Sequence, residues 1–500
     1  MTEENKRCNT DNDTTYDHIV KYTGLFGGVQ GLNMLIGIVR NKITATLLGP
    51  SGIGLINIYN KVTSLIGQAT NFGISFSAVK HVAELSDSAD SQALGKQIDT
   101  VRMWCIMTAA IGLLAGLLLA PAVSWWTFRN YDYTLTFCFL SLIVGMTAIT
   151  GGELAILKGL KRLKKVALIS IFAALGTLAV CVPFYYSMGT NGIVAALVVS
   201  NAVGLAIHLY YSSKVAPWHR TIATIKSIQA GIPMAKLGIA YVLAGIILQG
   251  TEFFISTFIL NHSNLEYVGL YNTGFFLVSY IGTLLFTSVE ADFFPRLSAL
   301  VNDTTRRDKA INQQIEVCVL LVSPCIILGV IAMPLIVRIL YTTQFAQAGS
   351  MATYAIFYLF FKAMTLPVAY LSLAHGDSKT FLIADSLYAV FIAIAIPFAF
   401  SRYGLVGAGV ALSLANLFDL LLIHIFYRAR YQFRLDLRPI TSYIAQFVLI
   451  GICVYATTLS IPMAKWGLSL STLLCSTLLS LYQLHSKTSL IPRLLKKERK

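Results

Sequence analysis

The sequence predicts an all-α polytopic membrane protein of about 14 transmembrane helices, built as two six-helix lobes in parallel repeat plus a C-terminal helix pair. Three observations carry this. The 500 residues are 56% hydrophobic and only 12% charged, with a mean hydropathy of +0.69, far more apolar than a soluble chain of this size. The apolar runs are continuous rather than alternating, which suits helices and not an outer-membrane barrel. One offset, 215 residues, aligns three separated regions of the chain with one another.

A crossing helix needs about 20 apolar residues. In order, the runs that qualify are 22–47, 53–79, 101–124, 134–157, 166–188, 191–212, 234–260, 266–292, 316–340, 350–374, 381–400, 404–427, 440–460 and 466–485. The expected organisation is a cytosolic tail (1–18), an N-lobe (19–228), a C-lobe (229–432), the last helix pair (433–486) and a basic cytosolic tail (487–500). The opening polar stretch lacks the apolar core of a signal peptide and reads as a tail.

Charge sets the expected orientation. The net charge of +15 comes from short loops between apolar runs, so nucleic-acid binding is not needed to explain it. With the N-terminus in the cytosol, the outer segments hold only Arg129, Arg338, Arg402 and Lys465, and nearly all other loop cations fall inside. Both termini are therefore expected in the cytoplasm. Of eight cysteines, Cys8 lies in the tail and the others are scattered through apolar runs. Neither a disulfide framework nor a metal site is indicated, and no cofactor is expected.

The offset pairs Gly54, Leu55 and Asn57 with Gly269, Leu270 and Asn272, and Ser64, Ile66 and Gly67 with Ser279, Ile281 and Gly282. It also pairs Lys164 with Lys379, and Gly192, Ala196, Leu197 and Asn201 with Gly407, Ala411, Leu412 and Asn416. Each half has an even number of helices, so both enter the membrane from the same side, as in alternating-access transporters.

Polar residues then mark faces that cannot meet lipid. In the second run, Asn57, Lys61, Ser64, Gln68, Asn71 and Ser75 recur at helical spacing. The first run carries Gln30, Asn33, Arg40 and Thr44, and the seventh carries Gln249, Glu252 and Ser256. Four cations fit neither loop class: Arg40, Lys42, Lys61 and Lys362. Lys42 lies roughly 8 Å from its span's outer end, close enough to snorkel. Lys61 lies about 12 Å inside. An ion pair with Glu252 is the alternative to ligand binding for Arg40 and Lys61. Lys362 sits near mid-span, where a lone charge costs roughly 2.5–3.5 kcal/mol. It needs a partner, which Asp385, Asp419 or Glu252 could supply. Asp419 is also a candidate coupling carboxylate, whereas Glu153, Glu290, Asp292 and Asp385 fall near cytoplasmic span ends and read as capping or loop-pairing groups. Pro183, Pro324, Pro334, Pro367 and Pro397 are candidate hinge points.

The stretch "NKITATLLGPSGIGLINIYNKVTSLIGQATNFGISFSAVKHVAE" resembles the first helical pair of O-antigen and enterobacterial-common-antigen flippases. These are the Wzx branch of the multidrug/oligosaccharidyl-lipid/polysaccharide exporter superfamily. "LGPSGIGL" matches that family's first outer turn, "SAVKHVAE" its exit into the cytosol, and "FFPRLSALVND" the equivalent exit of the second half. The resemblance implies export of an undecaprenyl-diphosphate-linked oligosaccharide to the periplasmic leaflet of the inner membrane through a cationic lumen. In the related lipid II flippases, the last helix pair forms a lipid groove.

The expected function is thus that of a flippase, not an enzyme. Arg40, Lys42, Lys61, Lys362, Asn33, Asn57 and Gln68 are its candidate substrate-binding residues, and Glu252 and Asp419 its coupling or ion-pair candidates. Its expected partners are the lipid-linked oligosaccharide, membrane lipid and the polysaccharide polymerase with its chain-length machinery, around a monomer. A multidrug/cation antiporter of the same superfamily is the alternative, though it would want a carboxylate-dominated cleft. A membrane enzyme of glycan assembly is more distant, since the outer loops are short and carry no catalytic carboxylates.

Overall fold

The computed structural model describes the backbone of residues 3–87, 90–218 and 225–487, and side chains over 29–86, 90–218, 242–286 and 293–486 with residues 229, 231, 232 and 234. The side chains of Cys8, Glu290, Asp292 and both predicted tails lie outside the described set. Among the described residues all regular structure is helical. The helices are α1 (Glu3–Thr70), α2 (Ile74–Asp87), α3 (Ser91–Phe128), α4 (Thr134–Gly159), α5 (Leu163–Met188), α6 (Ile193–Ser213) and α7 (Ile225–His262). They continue as α8 (Leu265–Leu300), α9 (Thr304–Leu340), α10 (Ala346–Ala355), α11 (Phe357–Ala374), α12 (Ser378–Tyr431), α13 (Ile440–Thr457) and α14 (Pro462–Lys487).

Ten stretches among the described residues are long and apolar enough to cross a membrane, and two of them, residues 163–213 and Ser378–Tyr431, are long enough for two passes. α1 is likewise double, bent where Gly49 takes φ 62° and ψ −170°. Pro50 follows at the first position of the new arm, where its missing N–H costs nothing. One predicted span is not continuous. The 53–79 run breaks at Phe72 (φ 50°) and Gly73 (φ 67°), and Asn71 Nδ2 donates across the break to Ser75 Oγ at 3.3 Å. The sequence pattern hid this because its polar period runs on in phase through the turn. Pro183, Pro324, Pro334, Pro367 and Pro397 all sit inside helices.

The duplication is visible in local geometry. Asn57 and its mate Asn272 each donate Nδ2 to the carbonyl four residues back, both at 2.8 Å. Asn201 and Asn416 do the same at 2.8 and 3.1 Å. Gly189 and Gly404, also 215 apart, turn the chain between paired helices at φ 56° and 58° with extended ψ, a region essentially open to glycine alone. After each turn, a Cβ at Gly192 would lie 2.5 Å from Phe184 O and one at Gly407 2.4 Å from Ala399 O, which is again the same contact.

The chain forms two compact units. Unit 1 is Met1–Gly49 with Tyr59–Ile246, and unit 2 is Pro50–Ile58 with Ile247–Lys500. In unit 1, α3 and α4 approach through small residues: a Cβ at Gly116 would meet Ser141 Cβ at 2.5 Å, and one at Gly152 would meet Cys105 Sγ at 2.2 Å. Close backbone approach of this kind drives helix association in lipid. In unit 2, segment 50–58 lies against the start of α8, and α13 and α14 pack on α9. Gln446 ties that last pair together, donating to Ser480 Oγ at 2.9 Å and accepting from Ser476 Oγ at 2.6 Å.

Candidate functional site

In unit 1 the predicted polar face of the first span meets α5. Asn33 Nδ2 donates to Ser170 Oγ at 3.0 Å, while Asn33 Oδ1 is buried without a hydrogen-bond partner. About two turns further on, Arg40 is exposed and its charge acts on the Tyr185 hydroxyl. Ser170 and Tyr185 were not singled out from the sequence, because a lone serine or tyrosine in an apolar run carries no signal of what faces it. Lys42 and Lys61 are half-buried and neither lacks a partner.

Gln68 lies flat on α7: a Cβ at Gly245 would sit 2.1 Å from its Nε2. Further along the same stripe, Ser75 faces α4, its Oγ 2.5 Å from where a Cβ of Gly151 would stand. The stripe thus serves packing at its far end. Asn57, in the segment belonging to unit 2, uses its amide donor on Ile53 O.

Unit 2 gathers a second polar group inside apolar helices. Lys362 of α11 interacts with both Asp385 and Asp419 of α12. Asp419 is buried, and both carboxylates act on the Tyr427 hydroxyl. Beside them, Asn416 Nδ2 donates to Tyr388 Oη at 3.0 Å, and Glu252 acts on Tyr388 and Tyr271. Asp385, read from sequence both as a span-end group and as a candidate partner of Lys362, is one of the two carboxylates on which the lysine's charge acts.

Two further charge clusters hold helix ends. Arg102 of α3 donates Nε and Nη2 to Glu153 of α4 at 2.9 and 3.1 Å. It also donates to Ala216 O and Pro217 O at 2.8 and 3.0 Å, occupying carbonyls just beyond the end of α6. Ser212 donates to the same carboxylate, and Trp218 stacks on the guanidinium at 4.6 Å. In unit 2, Arg307 of α9 donates to Tyr431 O at 2.9 Å, at the end of α12. The third helix of each half therefore anchors the exit of the sixth. Neither arginine stood out from the sequence among many loop cations.

A solved structure of the lipid II flippase MurJ, in an inward closed conformation, superposes with a TM-score of 0.70 at 13% identity, covering 92% of this chain and 97% of that one. An inward-facing multidrug resistance MATE family transporter of the MOP superfamily gives 0.65 at 13% identity, covering 80% and 94%. A Vibrio cholerae MATE transporter gives 0.53 at 11% identity, covering 83% and 98%. At these identities the likeness establishes a shared fold. No curated protein matches the sequence. The family model described as polysaccharide biosynthesis protein matches residues 43–350. With more than half its length matched, the chain belongs to that polysaccharide biosynthesis family.

Proposed function

We propose that this protein is a flippase of the Wzx type. It carries an undecaprenyl-diphosphate-linked oligosaccharide, an O-antigen or similar surface polysaccharide unit, from the cytoplasmic to the periplasmic leaflet of the inner membrane. The observation that carries this reading is the retention of Arg40, Lys42 and Lys61 in the two apolar arms of α1, beside Asn33, Asn57 and Gln68. A diphosphate and a sugar do not cross hydrocarbon unaided. Fixed cations and amides replace their water of hydration while the polyprenyl tail stays in lipid. Family membership supports the polysaccharide context, and the fold shared with a lipid II flippase supports movement of a lipid-linked glycan.

In this reading residues 19–228 and 229–432 rock as two lobes, with both termini in the cytosol. The group of Lys362, Asp385 and Asp419, with Glu252 nearby, responds to the coupling ion, and the exported unit is handed to a polymerase. Deletion should make glycan accumulate on its lipid carrier at the cytoplasmic face. Short unpolymerised chains at the cell surface would instead show that translocation is intact and that the reading is wrong.

A second reading, a multidrug/cation antiporter, draws on the carboxylate pair Asp385 and Asp419 and on the fold shared with MATE transporters. Drug resistance on overexpression, with surface polysaccharide unchanged by deletion, would favour it.

A further inference from the structure

The turn from α4 to α5 and the turn from α11 to α12 are one structure repeated at the 215-residue offset. In the first, the N–H groups of Leu160, Lys161 and Arg162 donate to Ile156 O, Lys158 O and Leu157 O. In the second, those of His375, Gly376 and Asp377 donate to Leu371 O, Leu373 O and Ser372 O, position for position. Both turns place a left-handed residue at the same point, Lys161 at φ 55° and Gly376 at φ 68°.

The residues that fill the two turns differ in charge. Glycine suits a left-handed position, where any other residue is crowded by its own Cβ. Aspartate suits the next position, and Asp377 there caps α12 through the N–H and hydroxyl of Thr380. Arg162 can only donate, and it leaves the start of α5 without a side-chain cap. The first turn therefore departs twice from the residue its backbone favours, and each time it holds a cation. Lys158, Lys164 and Lys165 complete the group, and of its five members only Lys164 has a cationic mate, Lys379, in the second half. The sequence holds no carboxylate between Glu153 and Glu252. Asp99 of α3 shares a small cavity wall with Arg162 and offsets part of the charge. Lys158, Lys161, Arg162 and Lys164 are all exposed. Strain kept at a place where the same chain shows the relaxed solution points to a function for the charges.

The apolar surfaces beside the turns are matched as well. Leu168, Phe172 and Leu175 form an exposed stripe on α5, and their mates Ile383, Leu387 and Val390 form one on α12. Lys164 lies one turn before Leu168, so cation and stripe share a helix face. A ligand of the first turn thus meets cations at one end and an apolar face along its body, and only the charged end distinguishes the two turns.

We propose that the α4–α5 turn binds an anionic glycerophospholipid, with its phosphate among Lys158, Lys161, Arg162 and Lys164 and its acyl chains along Leu168, Phe172 and Leu175. Clusters of cations next to a membrane span attract such headgroups. The second turn offers the same stripe with Asp377 at its head and does not select for charge. The inference does not depend on what the protein transports.

The test is photo-crosslinking of the full-length protein in phosphatidylcholine vesicles. These carry a trace of phosphatidylglycerol, or of phosphatidylcholine, with a diazirine on its acyl chain. Labelling is read over residues 163–175 and, as an internal reference, over 378–390. The phosphatidylglycerol probe should favour the first stretch, and the phosphatidylcholine probe should label both alike. Lys161→Gly/Arg162→Asp gives the first turn the residues of the second, removing two cations and adding a carboxylate. At about 1 kcal/mol, or roughly fivefold, per charge, it should lower phosphatidylglycerol labelling of 163–175 at least about tenfold. Its melting temperature in neutral detergent should stay at or above that of wild type, since both new residues suit the backbone. Lys161→Arg/Arg162→Lys should keep the lipid preference. Equal labelling of 163–175 by the two probes, unchanged phosphatidylglycerol labelling in the Gly/Asp variant, or a lower melting temperature for that variant would overturn the proposal. Displacement of the probe by an equal concentration of inorganic phosphate, or by a polyprenyl diphosphate but not by unlabelled phosphatidylglycerol, would also overturn it.

Discussion

Gly54 and Gly269, which are 215 residues apart and paired by the duplication, face each other across a reciprocal backbone contact. A Cβ at Gly54 would lie 2.1 Å from Leu265 O, and a Cβ at Gly269 would lie 1.9 Å from Pro50 O. Pro50 and Leu265 are separated by the same 215 residues, so the contact maps onto itself, as at a local two-fold axis. Backbone meets backbone here, and no flexible side chain can give way. Gly54→Ala and Gly269→Ala should each destabilise the protein by about 1–3 kcal/mol or more, the usual cost of overpacking. Thermal melting in detergent checks this, with Gly451→Ala, whose Cβ meets nothing within 4 Å, as the control that should melt close to wild type.

The Arg102–Glu153 pair is 3% and 2% exposed. Removing one partner of such a pair strands a buried charge, at a cost of about 3–5 kcal/mol. Glu153→Gln should therefore sharply lower the yield of folded protein and release the segment after α6. Arg102→Met with Glu153→Met should recover most of the loss. Fluorescence-detected size exclusion of the three variants checks the order.

Lys362 and Asp419 should be energetically coupled. Lys362→Met leaves two carboxylates that repel each other in apolar helices, and Asp419→Asn alone removes one of the two on which the lysine's charge acts. A double-mutant cycle on melting temperature should give a coupling of about 0.5–3 kcal/mol. Additive effects would show that the lysine is held by other groups.

Asp377 gives a pH dependence. Its carboxylate caps α12, accepting from Thr380 N at 3.1 Å and Thr380 Oγ1 at 2.8 Å, and also from Tyr431 Oη and Arg430 Nε. The Thr380 backbone N–H first, then its hydroxyl and the other donors, hold the carboxyl well below the usual range. A depressed folded value means the stabilisation is fully present above about pH 4 and is lost as pH falls further. Asp377→Ala should cost about 1 kcal/mol near neutrality, and the difference from wild type should narrow as pH drops below about 4. Melting curves across that range decide it.

Much of the fold was legible in the sequence because burial in lipid leaves a one-dimensional trace. Apolar runs gave the helices, and matched Gly and Asn positions gave the repeat, since Asn57 and Asn272 make one and the same local bond. The break at Phe72 and Gly73 was hidden by a polar period that continues through it. Contacts between distant segments left no such trace. Nothing around Arg102 points to Glu153, and nothing in the α5 run shows that Ser170 faces Asn33. Lys362 was readable only because a mid-span charge demands a partner, and the candidates named for it included both carboxylates on which its charge acts.

The most direct measurement is surface polysaccharide in cells carrying Arg40→Glu with Lys61→Glu, alongside protein abundance in the membrane. If these cations receive an anionic headgroup, export is lost while abundance is unchanged, and glycan accumulates on its lipid carrier. Wild-type levels of surface polysaccharide with both charges reversed would contradict the assignment of this face as the substrate path.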